Sequence, residues 1–362
     1  MTQTERAKNL ELLRELVEIE SPTYSPGVRR VAEVVAGELG ALGARTRFVD
    51  GDHLVADLDG DGEPLFVCGH ADTVWPEGTL KTMPFRIDGD RAYGPGAYDM
   101  KACLVLMLDA IARADSERRA LRVFVTADEE MGSRTARPHL EREAKECAAA
   151  LIVEPPGATG KLKTARKGLG RFRITIRGRP AHAGTNPGEG ASAIEELAHQ
   201  ILALHALNDD ARGVSVNVGV VRGGTSENVV PAEAEAQIDV RVRTFADRER
   251  MEQVLSRLQR RNPETTIELG GGWTRPPLEE SEGARRLFAQ AREHARELGL
   301  ELEAESSGGG SDGNLVGAAG VPVLDGLGAE GSGAHARDEH VLLPSIPLRA
   351  ELLSRLLRRP GV

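Results

Sequence analysis

Short apolar runs alternate with helical segments along most of the chain, and this alternation restricts the fold more than any other feature. Residues 64–69, 121–126 and 149–153 are apolar enough to form buried strands. Residues 26–42 and 100–111 carry apolar side chains at the spacing of an amphipathic helix. Strands that alternate with helices of this length predict an α/β fold, in which helices cover a mixed sheet.

The pattern changes in the middle of the chain. There the predicted strands alternate polar and apolar side chains, which is typical of half-exposed antiparallel strands. Together with two predicted helices, they give the order β-α-β-β-α-β of a ferredoxin-like unit. The strands lie at residues 171–177, 213–221, 232–242 and 265–269. We therefore predict a main domain formed by residues 1–166 and 272–362, which is interrupted by an inserted α+β domain at residues 167–271.

Charge and cysteine content exclude several classes of partner. The formal net charge of −10 argues against non-specific binding to nucleic acid or to an anionic membrane. Cys68, Cys103 and Cys147 have no paired spacing, which indicates reduced thiols. The N-terminal residues are polar, and no apolar run approaches the ~20 residues that span a bilayer. We expect a cytoplasmic protein with no nucleic-acid or membrane partner.

Acidic or imidazole side chains occur at five places, most of them directly after a predicted strand. The segments are GHADT at 69–73, GPGAYDMK at 94–101, TADEE at 126–130, IVEP at 152–155 and AHARDEH at 334–340. In extended chain, His70 and Asp72 point to the same face, so the carboxylate can hold a ring N–H. Since strand ends of an α/β sheet share its carboxyl edge, we expect these groups to meet there. Histidines and carboxylates without cysteine fit zinc or a similar divalent ion.

Each segment by itself also has a structural explanation. Asp99 is a plausible N-cap for the following helix, and three adjacent carboxylates after a strand are typical of a solvated loop. The glycines at 94–96 and 308–310 allow phosphate binding as an alternative, but neither run has the G-x-G-x-x-G spacing or a Walker lysine. The joint occurrence of all five segments favours the metal site.

These five ordered segments resemble the dinuclear zinc peptidases and deacylases, a family that includes glutamate carboxypeptidase, acetylornithine deacetylase and succinyl-diaminopimelate desuccinylase. The resemblance extends from residue 20 to the final helix and is strongest to the glutamate carboxypeptidase branch. It implies a zinc-peptidase domain with an inserted dimerisation or lid domain. It also implies two Zn²⁺ ions per chain, with Co²⁺ as an alternative ion.

The resemblance implies a role for each matched residue. The metal ligands would be His70, Asp99, Glu130, Glu154 and His335. Asp99 would be shared by both ions, and its peptide bond to Met100 corresponds to one that is cis in the family. Asp72 would orient the ring of His70, and Glu129 would be the general base.

Further residues would come from the inserted domain. His182 corresponds to a histidine that reaches the active site from the partner subunit, which implies a homodimer. Arg241 corresponds to the arginine that binds the terminal carboxylate of the substrate, and Asn228 lies in the substrate-binding loop. Lys161, before the inserted domain, falls where glutamate-specific members place a lysine that binds the substrate side chain.

The expected function is hydrolysis of an amide bond next to a free carboxylate, in a small peptide or an N-acyl amino acid. A carboxypeptidase that releases C-terminal glutamate or a similar amino acid is the main hypothesis. An N-acyl amino acid deacylase, acting on acetyl or succinyl groups, would use the same metals. A non-catalytic binding protein on this fold is the third alternative, against which every matched position holds a chemically competent residue.

Overall fold

The computed structural model describes residues 3–157 and 159–358, without the side chains of residues 3–5 and 116. The described residues form two compact units. Unit 1 is drawn from Met1–Ala165, Glu280–Ser307 and Ser311–Val362, and unit 2 from Arg166–Glu279 and Gly308–Gly310.

The helices include the two predicted at residues 26–42 and 100–111 and the two predicted in the inserted unit. The helices are α1 Gln3–Glu18, α2 Pro26–Ala41, α3 Ala102–Ala114, α4 Arg137–Ala144, α5 Ala193–His205, α6 Phe245–Leu255, α7 Glu282–Glu297, α8 Asp312–Ala318 and α9 Ser345–Arg358. Helix α8 was not predicted. Its signal was a capping box, in which the Ser311 side chain caps the helix and Asn314 bonds back to the cap.

The strands are β1 Arg45–Val49, β2 His53–Leu58, β3 Asp61–His70, β4 Arg86–Asp88, β5 Arg91–Tyr93, β6 Arg119–Thr126, β7 Ala149–Ile152, β8 Leu162–Arg166, β9 Gly168–Arg177, β10 Ser215–Gly223, β11 Glu233–Val242, β12 Thr266–Arg275, β13 Ala304–Ser307, β14 Val323–Leu324, β15 Gly331–Ser332 and β16 His340–Leu342.

Unit 1 is built on a mixed six-stranded sheet with the order β1-β2-β6-β3-β7-β14, as the α/β prediction required. The strands β6, β3, β7 and β14 are mutually parallel. At one edge β2 pairs antiparallel with β6, and β1 pairs antiparallel with β2. Val67 and Leu151 point into a core shared with helices α2, α3 and α9. Phe66 and Phe124 pack against each other on the opposite face. Alternate side chains are therefore buried on both faces, which explains why these strands are continuously apolar.

Unit 2 is an antiparallel sheet with the order β10-β11-β9-β12. The helices α5 and α6 supply Leu197, Leu204, Met251 and Leu255 to its core. The chain order β9-α5-β10-β11-α6-β12 is the predicted β-α-β-β-α-β order.

The end of the inserted unit differs from the predicted boundary at residue 271. That position lies inside β12, which stays paired with β9 as far as Arg275 opposite Leu169. Gly271 has φ +90°, and a Cβ there would lie 2.2 Å from the carbonyl oxygen of Arg171. Glycine at this position therefore lets the strand continue past residue 269, where the predicted strand ended.

Several short strands were not predicted. The sheet β15-β16-β5-β4 joins strands of two or three residues, and His340 of β16 pairs with Tyr93 of β5. Strands β8 and β13 form a separate pair. Such strands are too short to show a period, and the pairs β16–β5 and β8–β13 join parts of the chain that are far apart in the sequence. Within residues 3–157 and 159–358, no helix has the length and apolar character needed to cross a membrane.

Candidate active site

Three neighbouring parallel strands of unit 1 end at the same edge of the sheet. His70 is the last residue of β3 and pairs with Thr126, the last residue of β6. Glu129 and Glu130 lie in the turn that follows β6, and Glu154 follows β7 by two residues. The carboxyl edge of the sheet therefore brings together side chains from segments far apart in the sequence.

His70 is the centre of this group, and its side chain is 2% exposed. Its Nε2 atom lies 3.2 Å from Oδ1 of Asp99 and 3.8 Å from Oε1 of Glu154. Its Nδ1 atom lies 2.9 Å from the backbone oxygen of Asp72, and the carboxylate of Asp72 is farther, at 3.5 Å. The carbonyl group of Asp72 is thus the nearer acceptor for the Nδ1–H, which leaves Nε2 facing the acids.

Asp99, Glu130 and His335 form the other side of the group. Nε2 of His335 lies 3.4 Å from Oδ2 of Asp99 and 3.3 Å from Oε2 of Glu130. The Asp99–Met100 peptide bond is cis, as in the family that the sequence resembles. His335 has φ +63°, a left-handed conformation that is uncommon outside glycine and concentrates at functional sites.

The residues present fit a divalent metal site. The ligand atoms of His70, Asp99 and Glu130 lie within 4.8 Å of one another, and so do those of His70, Glu129 and Glu154. Oε1 of Glu130 is buried, and within the described residues it has no hydrogen-bond partner. A buried carboxylate oxygen without a donor is costly unless a cation occupies the space in front of it.

The electrostatics of these residues point the same way. Burial lowers the pKa of His70, but its bonds with Asp72 and Asp99 outweigh burial and hold the pKa well above its ordinary value. Hydrogen bonds to Asp99 and Glu130 raise the pKa of His335 to about 10. Burial raises the pKa of Glu130. The acids thus favour positive charge on both imidazoles, as expected for a site whose carboxylates are arranged around cations.

Asp72 is completely buried and connects His70 with the turn after β6. Its Oδ1 accepts a hydrogen bond from the backbone N–H of Glu129 (3.1 Å), and its Oδ2 accepts one from the N–H of Glu130 (3.1 Å). The hydroxyl group of Thr23 donates to Oδ2 at 2.7 Å. Asp72 therefore fixes the backbone of both glutamates in addition to facing the ring of His70.

His182 lies in an exposed turn of unit 2. Its Nδ1 atom accepts hydrogen bonds from the backbone N–H groups of Gly184 and Thr185, each at 3.1 Å. Because Nδ1 is an acceptor, a neutral ring carries its hydrogen on Nε2. The turn contacts the loop that contains Asn228, another predicted substrate-binding residue. The N–H of Ala183 donates to the backbone oxygen of Asn228 at 2.9 Å.

Arg241 lies on β11, also in unit 2. Its Nε and Nη2 atoms donate to the carboxylate of Asp239 at 2.8 and 3.2 Å, and its Nη1 donates to the backbone oxygen of Gly308 at 2.8 Å. The planar guanidinium group thus already holds a carboxylate through two bonds, which is the geometry predicted for substrate recognition.

Lys161, which was predicted to bind the substrate side chain, is also paired with an acid of the protein. It lies in unit 1, and its ammonium group forms an ion pair with Glu303 at 2.5 Å. To bind a substrate, the lysine would have to exchange this partner for the substrate carboxylate.

Three residues that were not predicted as site residues support the site through hydrogen bonds: Thr23, Trp75 and Glu339. Thr23 bonds to Asp72, and the indole N–H of Trp75 donates to Glu339 at 2.7 Å. Glu339 belongs to the fifth acidic segment, so its residue type was visible. Its complete burial was not, because an acid in a charged run is usually solvated.

Comparison with known proteins agrees with this geometry. The profile of Peptidase family M20/M25/M40 matches residues 66–359. Carboxypeptidase G2 from Pseudomonas sp. (strain RS-16) is 30% identical, over 97% of this chain and 89% of that protein. Succinyl-diaminopimelate desuccinylase from Thioalkalivibrio sulfidiphilus (strain HL-EbGR7) is 27% identical, over 97% of this chain and 98% of that protein.

Solved structures show the same fold. Aminopeptidase PepT from Bacillus cereus has a TM-score of 0.83 at 21% identity, over 98% of both chains. The profile covers most of the chain, and side chains at the carboxyl edge of the sheet could hold a metal ion. The chain belongs to peptidase family M20/M25/M40 and is a metal-dependent peptidase or amidohydrolase.

Proposed function

We propose that this enzyme is a carboxypeptidase that cleaves the amide bond next to a free carboxylate and releases a C-terminal glutamate or a similar amino acid. The observation that carries the proposal is the pair of ligand groups that share His70, with Asp99 and Glu130 on one side and Glu129 and Glu154 on the other. The resemblance to carboxypeptidase G2 along nearly the whole chain supports the choice of substrate class.

We further propose that the site holds two zinc ions, with His70, Asp99, Glu130, Glu154 and His335 as ligands. Imidazole and carboxylate donors without thiolate suit zinc, and Co²⁺ suits the same donors. When bound, such ions polarise the scissile carbonyl group and lower the pKa of a water molecule.

In this proposal Glu129 is the general base. It takes a proton from the attacking water and passes it to the leaving nitrogen. Asp72 supports this role, because its hydrogen bond to the N–H of Glu129 fixes the backbone of the base. The same carboxylate fixes Glu130, so the base and its neighbouring ligand are held in register.

Residues of unit 2 would complete the site. The Nε2–H of His182 is a donor for the developing oxyanion, and the acceptance of two N–H groups by Nδ1 supports this tautomer. Arg241 would bind the terminal carboxylate of the substrate in place of Asp239, with Asn228 as a neighbouring contact. Lys161 would bind a side-chain carboxylate after leaving Glu303.

We propose that the enzyme is a homodimer and that His182 acts in the active site of the partner subunit. Strand β10 is an edge strand of the sheet in unit 2. At Val216 its outer N–H and C=O groups bind the side chain of Asn208, so pairing with a second chain would use the residues that follow. Helix α5 packs beside it and carries Ile194, Ala198 and Leu202 on one exposed face at a spacing of four residues. With Val221 of β10, which is 54% exposed, these side chains form an apolar surface suited to a two-fold interface.

A cytoplasmic location is part of the proposal. The three cysteines are free thiols, and all three are buried. Free thiols are typical of a reducing compartment.

Hydrolysis of a substrate panel by zinc- and cobalt-loaded protein tests the proposed activity. One series joins different amino acids to one acyl group, and the other joins different acyl groups to glutamate. For a carboxypeptidase we expect kcat/KM to depend mainly on the released amino acid. Absence of hydrolysis throughout the panel by metal-loaded protein would contradict the proposal.

The second candidate is an N-acyl amino acid deacylase. The match to succinyl-diaminopimelate desuccinylase, which covers almost all of both proteins, favours it. It predicts that kcat/KM in the same panel depends mainly on the acyl group, with acetyl and succinyl preferred.

Mixing two inactive variants tests the role of His182. Subunits of Glu129→Gln and of His182→Ala should regain part of the activity when they exchange, because some mixed sites then contain intact copies of both residues. If subunits exchange and no activity returns, His182 does not act across the dimer.

A further inference from the structure

Glu339 is a carboxylate of unit 1 with no exposed surface. Its Oε1 accepts hydrogen bonds from the backbone N–H groups of Tyr98 and Asp99, both at 3.0 Å. Its Oε2 accepts one from the N–H of Gly96 at 3.0 Å and one from Nε1 of Trp75 at 2.7 Å. Four donors around one buried carboxylate satisfy both oxygens, which is the condition under which burial of the charge is tolerated.

The donors belong to segments that carry the metal ligands. Tyr98 and Asp99 lie in the turn before α3, and Trp75 lies three residues after Asp72. Glu339 itself lies four residues after His335 in the C-terminal segment. One carboxylate therefore joins three of the segments from which the site is assembled.

The bond to Asp99 bears directly on its function. The backbone N–H that donates to Glu339 belongs to the residue whose carboxylate lies between Nε2 of His70 (3.2 Å) and Nε2 of His335 (3.4 Å). A shift of this backbone displaces the Asp99 carboxylate relative to both imidazoles. Partners that hold a ligand in this way are a general requirement of metal sites.

We propose that Glu339 is a positioning residue that sets the Asp99 carboxylate for binding both metal ions. This inference rests on the proposed two-metal site and gives a role to a residue that touches neither metal nor substrate. The requirement is for a carboxylate, because each oxygen faces two N–H donors that cannot turn into acceptors. A glutamine has one acceptor oxygen and an NH₂ group, so at least one donor pair would face another donor.

Glu339→Gln tests the proposal through metal binding. We expect affinity for Zn²⁺ to fall about 10–100-fold, the usual cost of removing such a partner. The family resemblance implies that Asp99 is shared by both ions, so both should be bound more weakly, and the visible spectrum of the cobalt-loaded protein should change. In metal-saturated protein, kcat should fall while KM changes little, because Glu339 does not contact the substrate.

Glu196→Gln is the matched control. Glu196 of unit 2 is also buried, and it accepts hydrogen bonds from the backbone N–H groups of Arg261 and Asn262 and from the side chain of Gln200. A comparable loss of thermal stability in both metal-free variants, with weaker metal binding only in Glu339→Gln, supports the positioning role. Unchanged metal affinity and cobalt spectrum in folded Glu339→Gln overturn it.

Trp75→Phe covers the case in which Glu339→Gln does not fold. This change removes one of the four donors and keeps the aromatic ring. A smaller loss of affinity for both ions supports the inference, and unchanged affinity contradicts it. If the wild-type protein binds no metal, the proposed function fails as well, whereas normal wild-type binding with an unaffected variant removes only the role of Glu339.

Discussion

Leu202→Ala provides a quantitative test of the proposed dimer. Leu202 lies on the exposed face of α5, and 70% of its surface is accessible in the single chain. The change removes three carbon atoms, each of which contributes about 0.8 kcal/mol when it is buried. Because 70% of the leucine surface is available for burial in the interface, the loss of association free energy is about 1.7 kcal/mol per subunit. A two-fold interface contains the residue twice, which gives about 3.4 kcal/mol and a roughly 250-fold higher dimer Kd.

Sedimentation velocity over a range of protein concentrations measures this effect. Leu269→Ala is the matched control, because Leu269 is an exposed leucine on β12, at the other edge of the same sheet. We expect dissociation to shift to higher concentration for Leu202→Ala and to remain unchanged for Leu269→Ala. A monomeric wild-type protein, or a dimer that depends on Leu269 and not on Leu202, would refute the reasoning.

Three further predictions concern unit 1. Glu129→Gln should retain the metal and the fold but lose about 10²–10⁴-fold in kcat, the usual contribution of a general base, as measured by turnover and metal content. Removal of both proposed metal ions by a chelator should lower the free energy of unfolding by about 2.7 kcal/mol per site, roughly 5.4 kcal/mol in all, relative to protein held at 100 times the Kd of each site. His53, whose pKa is lowered by burial, binds a proton less readily in the folded state, where its Nδ1 accepts the N–H of Ala127. Below its unfolded pKa of about 6.5 the unfolded chain takes up the proton more readily, so stability should fall as pH drops through this range, and His53→Asn should weaken that dependence in thermal melts between about pH 5 and 8.

Each of these predictions has an outcome that contradicts it. Loss of metal from Glu129→Gln, with normal activity per remaining ion, would make Glu129 a ligand and leave another residue as the base. Equal unfolding free energies with and without metal would argue against a site formed only in the folded state. An unchanged pH dependence of stability in His53→Asn would show that other groups cause it.

The carboxyl edge of the sheet was predictable because it follows from local pattern and topology. An apolar run such as residues 121–126 predicts a buried strand, and Glu129 and Glu130 follow it directly in the sequence. Parallel strands bring such positions to one edge whatever the details of packing. The resemblance to a known family then assigned roles that the pattern alone left open.

The short strands and buried partners were not predictable in this way. Strand β16 pairs with β5 across more than 240 residues of chain, as His340 opposite Tyr93, and three residues cannot show a period. The strand predicted at residues 265–269 stopped short of the glycines at 270–272. Only the pairing of β12 with β9 keeps them in a strand.

The sequence by itself determined the α/β class, the insertion of a second unit and the types of side chain at the metal site, because strand period and strand-end residues are local properties of the chain. The tertiary structure decided which acids meet in the candidate metal site, which bind backbone N–H groups and which are solvated. Glu339 and Asp338 are adjacent acids in one charged run, yet Glu339 is completely buried among four donors while Asp338 is exposed. That difference depends on backbone N–H groups supplied from about residues 96 to 99, and a hydrogen bond between distant segments exists only once the fold has brought them together.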